Sequence, residues 1–299
     1  KISIALGPNT TKVNQMTSIT TLRQAFDNME EAGIYRSRVQ KWQKGKLTSE
    51  DDFIAVEEPI EIIFRHQKDG HTALKPISVT MRTPGQDEDL ILGFLFNEGL
   101  IKSLNEIIDI DFKFTCSGTA MENQTAIVTV SIEAAERAKA IDRHFYTNSS
   151  CGVCGKTTID LSMDALAYVP KKLNRVLEPE IMVELPGRLR SNQKIFHKTG
   201  GVHACGLFKL DGTLIHHCED VGRHNAMDKL VGWCLKHDLF PASEHILVLS
   251  GRAGFELIQK AMSLGIPVVL SVGAPSHLAV SMALESGMTL AGFLKSDGF

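Results

Sequence analysis

Two cysteines with two residues between them, Cys151-Gly152-Val153-Cys154, are the side chains best placed by type and spacing to do chemistry. The thiolate is the reactive form of cysteine. Lys156, with a helix expected to begin near Thr157, favours that ionisation. Gly152 and Gly155 let the backbone bend and leave room for a partner sulfur to approach. Three chemistries fit: half of a zinc site, a thioredoxin-like dithiol, or a persulfide carrier. Zinc requires two more ligands, which His203 and Cys205 could supply, and would make the chain a zinc-stabilised binding or regulatory module. A thioredoxin site expects strand–CxxC–helix at the start of a compact domain. Here the motif lies mid-chain in the polar stretch 147–156, which suits a mobile carrier arm. The bland alternative is two surface cysteines without function, and spacing alone ranks none of the three chemistries firmly.

Two further clusters are dense in polar groups. Ser250-Gly251-Arg252 ends an expected strand and offers N–H groups, a hydroxyl and a guanidinium for an anionic or nucleotide ligand. It lacks the Walker lysine and a dinucleotide fingerprint, so neither ATP nor NAD is indicated. Glu219-Asp220-Val221-Gly222-Arg223-His224-Asn225 reads equally as a phosphate site at a helix start or as a plain helix cap. Adjacent His216 and His217 point to opposite faces of a strand, which argues against a shared metal. Cys116, Cys218 and Cys234 read as small apolar residues.

These residues must be held by a globular scaffold. The 299-residue chain has a net charge of −3, average apolar and charged fractions, and six cysteines. No basic stripe supports nucleic-acid binding, and no apolar run reaches the ~18–20 residues of a membrane span. Sparse cysteines with no export signal suggest reduced thiols and a cytoplasmic protein. The chain opens on Lys1, so the residues before Met16 read as a remnant or a trimmed end. Residues 1–45 read as an N-terminal arm with a short helix at 22–31. Strands at 59–64, 75–81, 108–114 and 126–132, with a helix opened by Asp87-Glu88-Asp89, make 46–146 a small α+β domain. The loop 147–156 follows. Residues 157–299 alternate helix and strand: a helix at 180–194, a hairpin at Asp211-Gly212, a helix burying Met227, Leu230, Val231, Cys234 and Leu235, then strands at 245–250, 268–272 and 288–294 separated by helices at 255–264 and 276–286. That order argues for a parallel sheet between helices, with ligands at its strand C-terminal ends.

The ordered motifs resemble one family. Glu57-Glu58-Pro59-Ile60-Glu61-Ile62, Met81-Arg82-Thr83-Pro84-Gly85, Gly93-Phe94-Leu95-Phe96-Asn97-Glu98-Gly99, Ser149-Ser150-Cys151-Gly152-Val153-Cys154-Gly155, Thr199-Gly200-Gly201-Val202-His203-Ala204, the Glu219–Ala226 stretch, Ser250-Gly251-Arg252 with Phe255-Glu256-Leu257, Ala274-Pro275-Ser276 and Thr289-Leu290-Ala291-Gly292-Phe293 are similar to the formate dehydrogenase accessory sulfurtransferases, FdhD. The resemblance implies a cytidine-deaminase-like three-layer α/β/α second domain and a homodimer. It implies that a cysteine desulfurase loads a persulfide on Cys151, with Cys154 as partner. The sulfur then passes to molybdenum in the bis(molybdopterin guanine dinucleotide) cofactor, the bound substrate, before formate dehydrogenase receives it. The family's cofactor-binding stretch falls on Phe293, Leu294, Lys295, Ser296, Asp297 and Gly298. Relatives usually carry more basic residues there, whereas this chain has Asp297 and stops at Phe299. A deaminase would need His-x-Glu and Pro-Cys-x-x-Cys. Here His203-Ala204-Cys205 has no Glu and Ser150 precedes Cys151, so neither deamination nor a structural metal is expected.

Overall fold

A computed structural model describes residues 3–4, 29–68, 70–116, 122–141, 170, 172–173 and 175–299. Cys151, Cys154, the loop 147–156 and the helix start expected near Thr157 lie outside them.

The first sheet is built on a long hairpin. Strands β1 (Ser3–Ile4) and β2 (Met29–Glu31) flank β3 (Ile34–Gln43), which also pairs with β4 (Lys46–Ala55). Its tip is Lys44-Gly45, both with positive φ, the two-residue turn whose twist matches paired strands. Arg36–Asp51 at 2.8 Å and Lys41–Glu50 at 2.5 Å tie the strands together. The sequence reading of an arm through residue 45 therefore fails from Ile34 onward, and Met29–Glu31 is strand rather than helix. The alternation there is between charged and half-buried residues, so its period of two carries little apolar contrast.

The second sheet comprises β5 (Glu58–Lys68), β6 (His71–Arg82), β7 (Ile107–Cys116) and β8 (Glu122–Val130), in the order β6-β5-β8-β7. Between β6 and β7 runs α1 (Asp87–Asn97), acidic in its first turn as the helix dipole favours. Helix α2 (Ile132–Ile141) follows β8.

The third sheet carries the strand ends of interest. Helices α3 (Pro179–Asn192) and α4 (Lys194–Thr199) lead into β9 (His203–Lys209) and β10 (Leu214–Asp220). Then come α5 (Arg223–Lys236), β11 (His245–Leu249), α6 (Phe255–Ser263), β12 (Val268–Ser271), α7 (His277–Ser286) and β13 (Thr289–Ala291). The order is β10-β9-β11-β12-β13, with β11, β12 and β13 parallel and the β9–β10 hairpin antiparallel. Alternate residues face opposite layers. Met182, Leu185 and Leu189 of α3 pack on Ala204, Phe208, Ile246 and Val248. Cys205, Leu207, Leu247 and Leu249 face α5, α6 and α7 instead. The expected three layers are thus present, with the expected helix face of Met227, Leu230, Val231, Cys234 and Leu235 buried. The single helix expected over 180–194 stops at Asn192, because Gln193 leaves the helical region at ψ 84°. The last strand is shorter than expected because Gly292 sits against Pro275 and Phe293 turns with φ 56°.

Candidate functional site

Because β9 runs antiparallel to β11, the start of β9 lies beside the end of β11, with Cys205 paired to Leu249. The Ala204 N–H donates to the Ser250 hydroxyl (2.8 Å), while the Ser250 N–H donates to the Ala204 carbonyl (3.0 Å). The Ser250 hydroxyl therefore extends the ladder and keeps its own hydrogen for a second acceptor. Gly251 leaves room for His203: a Cβ there would lie 3.1 Å from the imidazole Nδ1.

The three parallel strands end in loops that are bonded to one another. The Gly273 N–H donates to the Gly251 carbonyl, Ser276 N–H to Ala253, Phe293 N–H to Gly273, and Leu294 N–H to Ser271. A Cβ on Gly273 would lie 2.8 Å from the Arg252 nitrogen, and one on Gly292 would lie 2.5 Å from the Pro275 ring. The structure thus brings Ser250, Gly251 and Arg252 together with Phe293 and Leu294 at one sheet end. Roles within that end differ. Phe293 is 64% exposed, whereas the Leu294 side chain is buried and offers a ligand nothing. Lys295 pairs with Asp297 at 3.2 Å, and the backbones of Lys295 and Gly298 bond to each other. Ser296 is exposed.

The start of α5 completes this end. Asp220, fully buried, meets the Lys229 ammonium at 2.8 Å and accepts from the Thr83 and Gly222 N–H groups and the Asn225 amide. Lys229 also donates to the Thr83 carbonyl. Glu219 accepts from the N–H groups of Ile195 and Phe196. Glu219, Asp220 and Asn225 are therefore structural, but not as the solvated helix cap expected: the N-cap residue of α5, Gly222, makes no side-chain cap hydrogen bond, and Glu219 and Asp220 are buried. Arg223 and His224 are left for the crevice. His224 Nε2 lies 2.6 Å from Glu256, and that hydrogen bond holds the Glu256 carboxyl below its ordinary range. Partial burial, then the charges of Arg223, His224 and Arg252, push His203 down, so its imidazole is neutral near pH 7.

His216 and His217 do diverge. His216 stacks on Trp233 at 4.1 Å, and burial pushes it down to about 4. Cys205, Cys218 and Cys234 are buried in the core; burial pushes the Cys234 thiol up to about 12 and raises the other two thiols as well. Cys205 lies wholly inside the apolar cluster beneath the third sheet. Among the described residues no group of three or more His, Cys, Asp or Glu is arranged to hold a metal ion. Also among them, no helix is long and apolar enough to cross a membrane. Sequence reasoning missed three contributors near the crevice: Glu256 as the partner of His224, and the Arg190–Phe196 stack with 3.4 Å from guanidinium carbon to ring centroid. No local pattern in the sequence marks either pairing, since each joins residues of two separate helices.

Residues 55–299 match the model of the FdhD/NarQ family. The chain belongs to that family. It is 40% identical over 263 residues to the sulfur carrier protein FdhD of Nocardia farcinica (strain IFM 10152), covering 88% of this chain and 90% of that one. It is 42% identical to its Streptomyces avermitilis counterpart over 87% of this chain and 90% of the other. The sulfur carrier protein FdhD of Sulfurisphaera tokodaii is 36% identical, covering 89% of this chain and 95% of that one. Among solved structures, a crystal structure described as a formate dehydrogenase accessory protein from Desulfotalea psychrophila superposes with a TM-score of 0.63. It covers 88% of this chain and 94% of its own at 23% identity, which speaks to the fold alone. This FdhD/NarQ member therefore keeps its family's similarity through both later sheets and the stretch carrying Cys151 and Cys154.

Proposed function

We propose that the chain is a sulfur carrier serving formate dehydrogenase, with Cys151 as the carrying residue. Its relatives bear the name sulfur carrier protein FdhD at about 40% identity over nearly nine-tenths of the chain, and this similarity carries the reading. Loading is a thiolate displacement. The Cys151 thiolate attacks the outer sulfur of a desulfurase persulfide, the donor S–S bond breaks, and the donor cysteine leaves as a thiolate. Lys156 and the flanking glycines favour that attack. The bond between Cys151 and the outer sulfur then breaks: Cys151 leaves as a thiolate with Cys154 beside it in sequence, and the outer sulfur, handed to the bis(molybdopterin guanine dinucleotide) substrate, becomes a sulfido ligand by taking two electrons from the reduced molybdenum of that substrate.

The strand-end crevice is the station where that substrate is held, in a cytoplasmic homodimer whose second half follows a cytidine-deaminase-like plan. Ser250 has a free hydroxyl hydrogen, and Arg252 is exposed with no hydrogen bond or ion pair from its side chain among the described residues. Both suit a phosphate-bearing ligand. Peptide mapping after incubation with a cysteine desulfurase and cysteine tests the loading step. A reductant-labile sulfur on the peptide containing residues 147–156 is expected, and normal loading of Cys151→Ala would refute the assignment.

A further inference from the structure

The starts of two helices meet at this sheet end and set a histidine on a carboxylate. β10 runs beside β9 with Asp220 opposite His203, and α5 opens three residues later, beside the start of β9. β11 ends at Leu249, and after Ser250-Gly251-Arg252-Ala253 the chain turns into α6, whose second residue is Glu256. The two helices pack on each other, and His224 Nε2 lies 2.6 Å from Glu256 Oε2 across that contact.

The carboxylate fixes the tautomer of the imidazole. The bond to His224 holds Glu256 below its ordinary range and therefore ionised near pH 7, so Nε2 donates and carries the ring proton. Nδ1 is then the open position of a neutral His224. Among the described residues it makes no hydrogen bond, and it is not one of the polar atoms sealed from solvent. The other carboxylate oxygen, Glu256 Oε1, is buried with no hydrogen-bond partner among the described residues. Its charge is thus kept for the imidazolium that forms when Nδ1 takes a proton, the way a carboxylate orients and supports a histidine base. The charged and titratable groups around the pair are Arg223 on α5, Lys260 on α6, Arg252 in the loop after β11, and His203 and Asp220 on β9 and β10. Three of these are cations, so Glu256 supplies the opposing charge that protonation of His224 requires.

On the carrier reading above, delivery leaves one proton to be placed: a persulfide carries it on the outer sulfur, and a sulfido ligand has none. We propose, resting on that reading, that His224 held by Glu256 is the base that takes this proton. The Cys151 S–S bond breaks with its electron pair on Cys151, and the outer sulfur bonds to the substrate's molybdenum, which supplies two electrons. The S–H bond breaks with its pair on the outer sulfur, and the proton goes to Nδ1 and then to water. His224 is the catalytic residue of this step, and Glu256 is its positioning residue.

The rate at which the persulfide-loaded full chain activates formate dehydrogenase, followed across pH with dehydrogenase activity read at one pH, tests this. His224→Ala should load sulfur like the parent yet activate about 100-fold or more slowly, the size of a lost general base. Added imidazole should restore part of that rate. The parent's rate should fall as pH is lowered and Nδ1 becomes protonated, and His224→Ala should lose that dependence. Glu256→Gln should move the fall to lower pH, because a neutral partner no longer favours the imidazolium. A merely structural pair would leave the pH dependence where it is. His224→Gln, which keeps a donor for Glu256 and loses the basic nitrogen, takes the place of His224→Ala if the latter does not fold, with the same loss expected. Parent-like activation by either variant, or a loss with the parent's pH dependence and no rescue by imidazole, overturns the proposal and leaves the carrier reading standing. If the parent never loads sulfur, the carrier reading falls and the role of His224 with it.

Discussion

Gly93 of α1 and Gly232 of α5 face each other across a helix crossing so close that neither position has room for a side chain. A Cβ on Gly93 would lie 1.8 Å from the Asp228 carbonyl oxygen, and one on Gly232 would lie 1.9 Å from that of Asp89. The crossing joins the helix of the second sheet to the helix beneath the third, and one hydrophobic cluster runs through both. Since the crevice residues Arg223 and His224 open α5, its position depends on this contact. Either glycine changed to alanine should destabilise the protein by about 3 kcal/mol, because backbone must move to admit the methyl. Urea unfolding with a midpoint equal to the parent's would show that the crossing is looser than described.

The buried pair Asp220–Lys229 should behave asymmetrically. Lys229→Met strands a buried carboxylate and should cost about 3–5 kcal/mol. Replacing both partners, Asp220→Asn with Lys229→Met, should cost less than the sum of the two single changes. Strict additivity in a double-mutant cycle would mean that the pair is not coupled.

Glu256 sets an expectation in acid. Its carboxyl is held below the ordinary value of 4.5, so the unfolded chain takes up that proton first as pH falls. Its contribution to stability is complete above the unfolded value and is lost as pH drops through the folded one. Glu256→Gln removes this contribution, so stability measured by denaturant titration should fall less steeply below about pH 5 than in the parent. An unchanged slope would detach Glu256 from His224.

The two stations should separate by mutation. Arg252→Ala should lose about 1.5–3 kcal/mol of nucleotide affinity yet load sulfur normally. Cys151→Ala should bind nucleotide normally and fail to activate formate dehydrogenase. Loss of both properties in either variant, with circular dichroism unchanged, would mean one shared site.

Much of the third sheet was legible because its strands are continuous apolar runs between Gly- and Pro-marked turns. Burial on both faces leaves that signature. The β3–β4 hairpin was not legible. Arg36, Arg38, Lys41, Glu50 and Asp51 stabilise it by cross-strand pairing, and a polar alternation resembles a solvated arm until the partner strand is known. The same limit hid the crevice. Ser250-Gly251-Arg252 could be placed at a strand end from the local pattern. That Glu256 grips His224, or that Arg190 lies on Phe196 beside His203, depends on how separate elements pack. Equally, Glu219 and Asp220 read as chemistry in sequence because a buried structural carboxylate and a functional one look alike until their partners are seen.

The carrier reading rests on Cys151, and intact mass measures it most directly. After incubation with a cysteine desulfurase and cysteine, the protein should gain the mass of one or more sulfur atoms, and reductant should remove the gain. Cys151→Ala should show no such gain. A parent protein that never gains sulfur, or a Cys151→Ala variant that gains it at the parent's rate, would contradict the account.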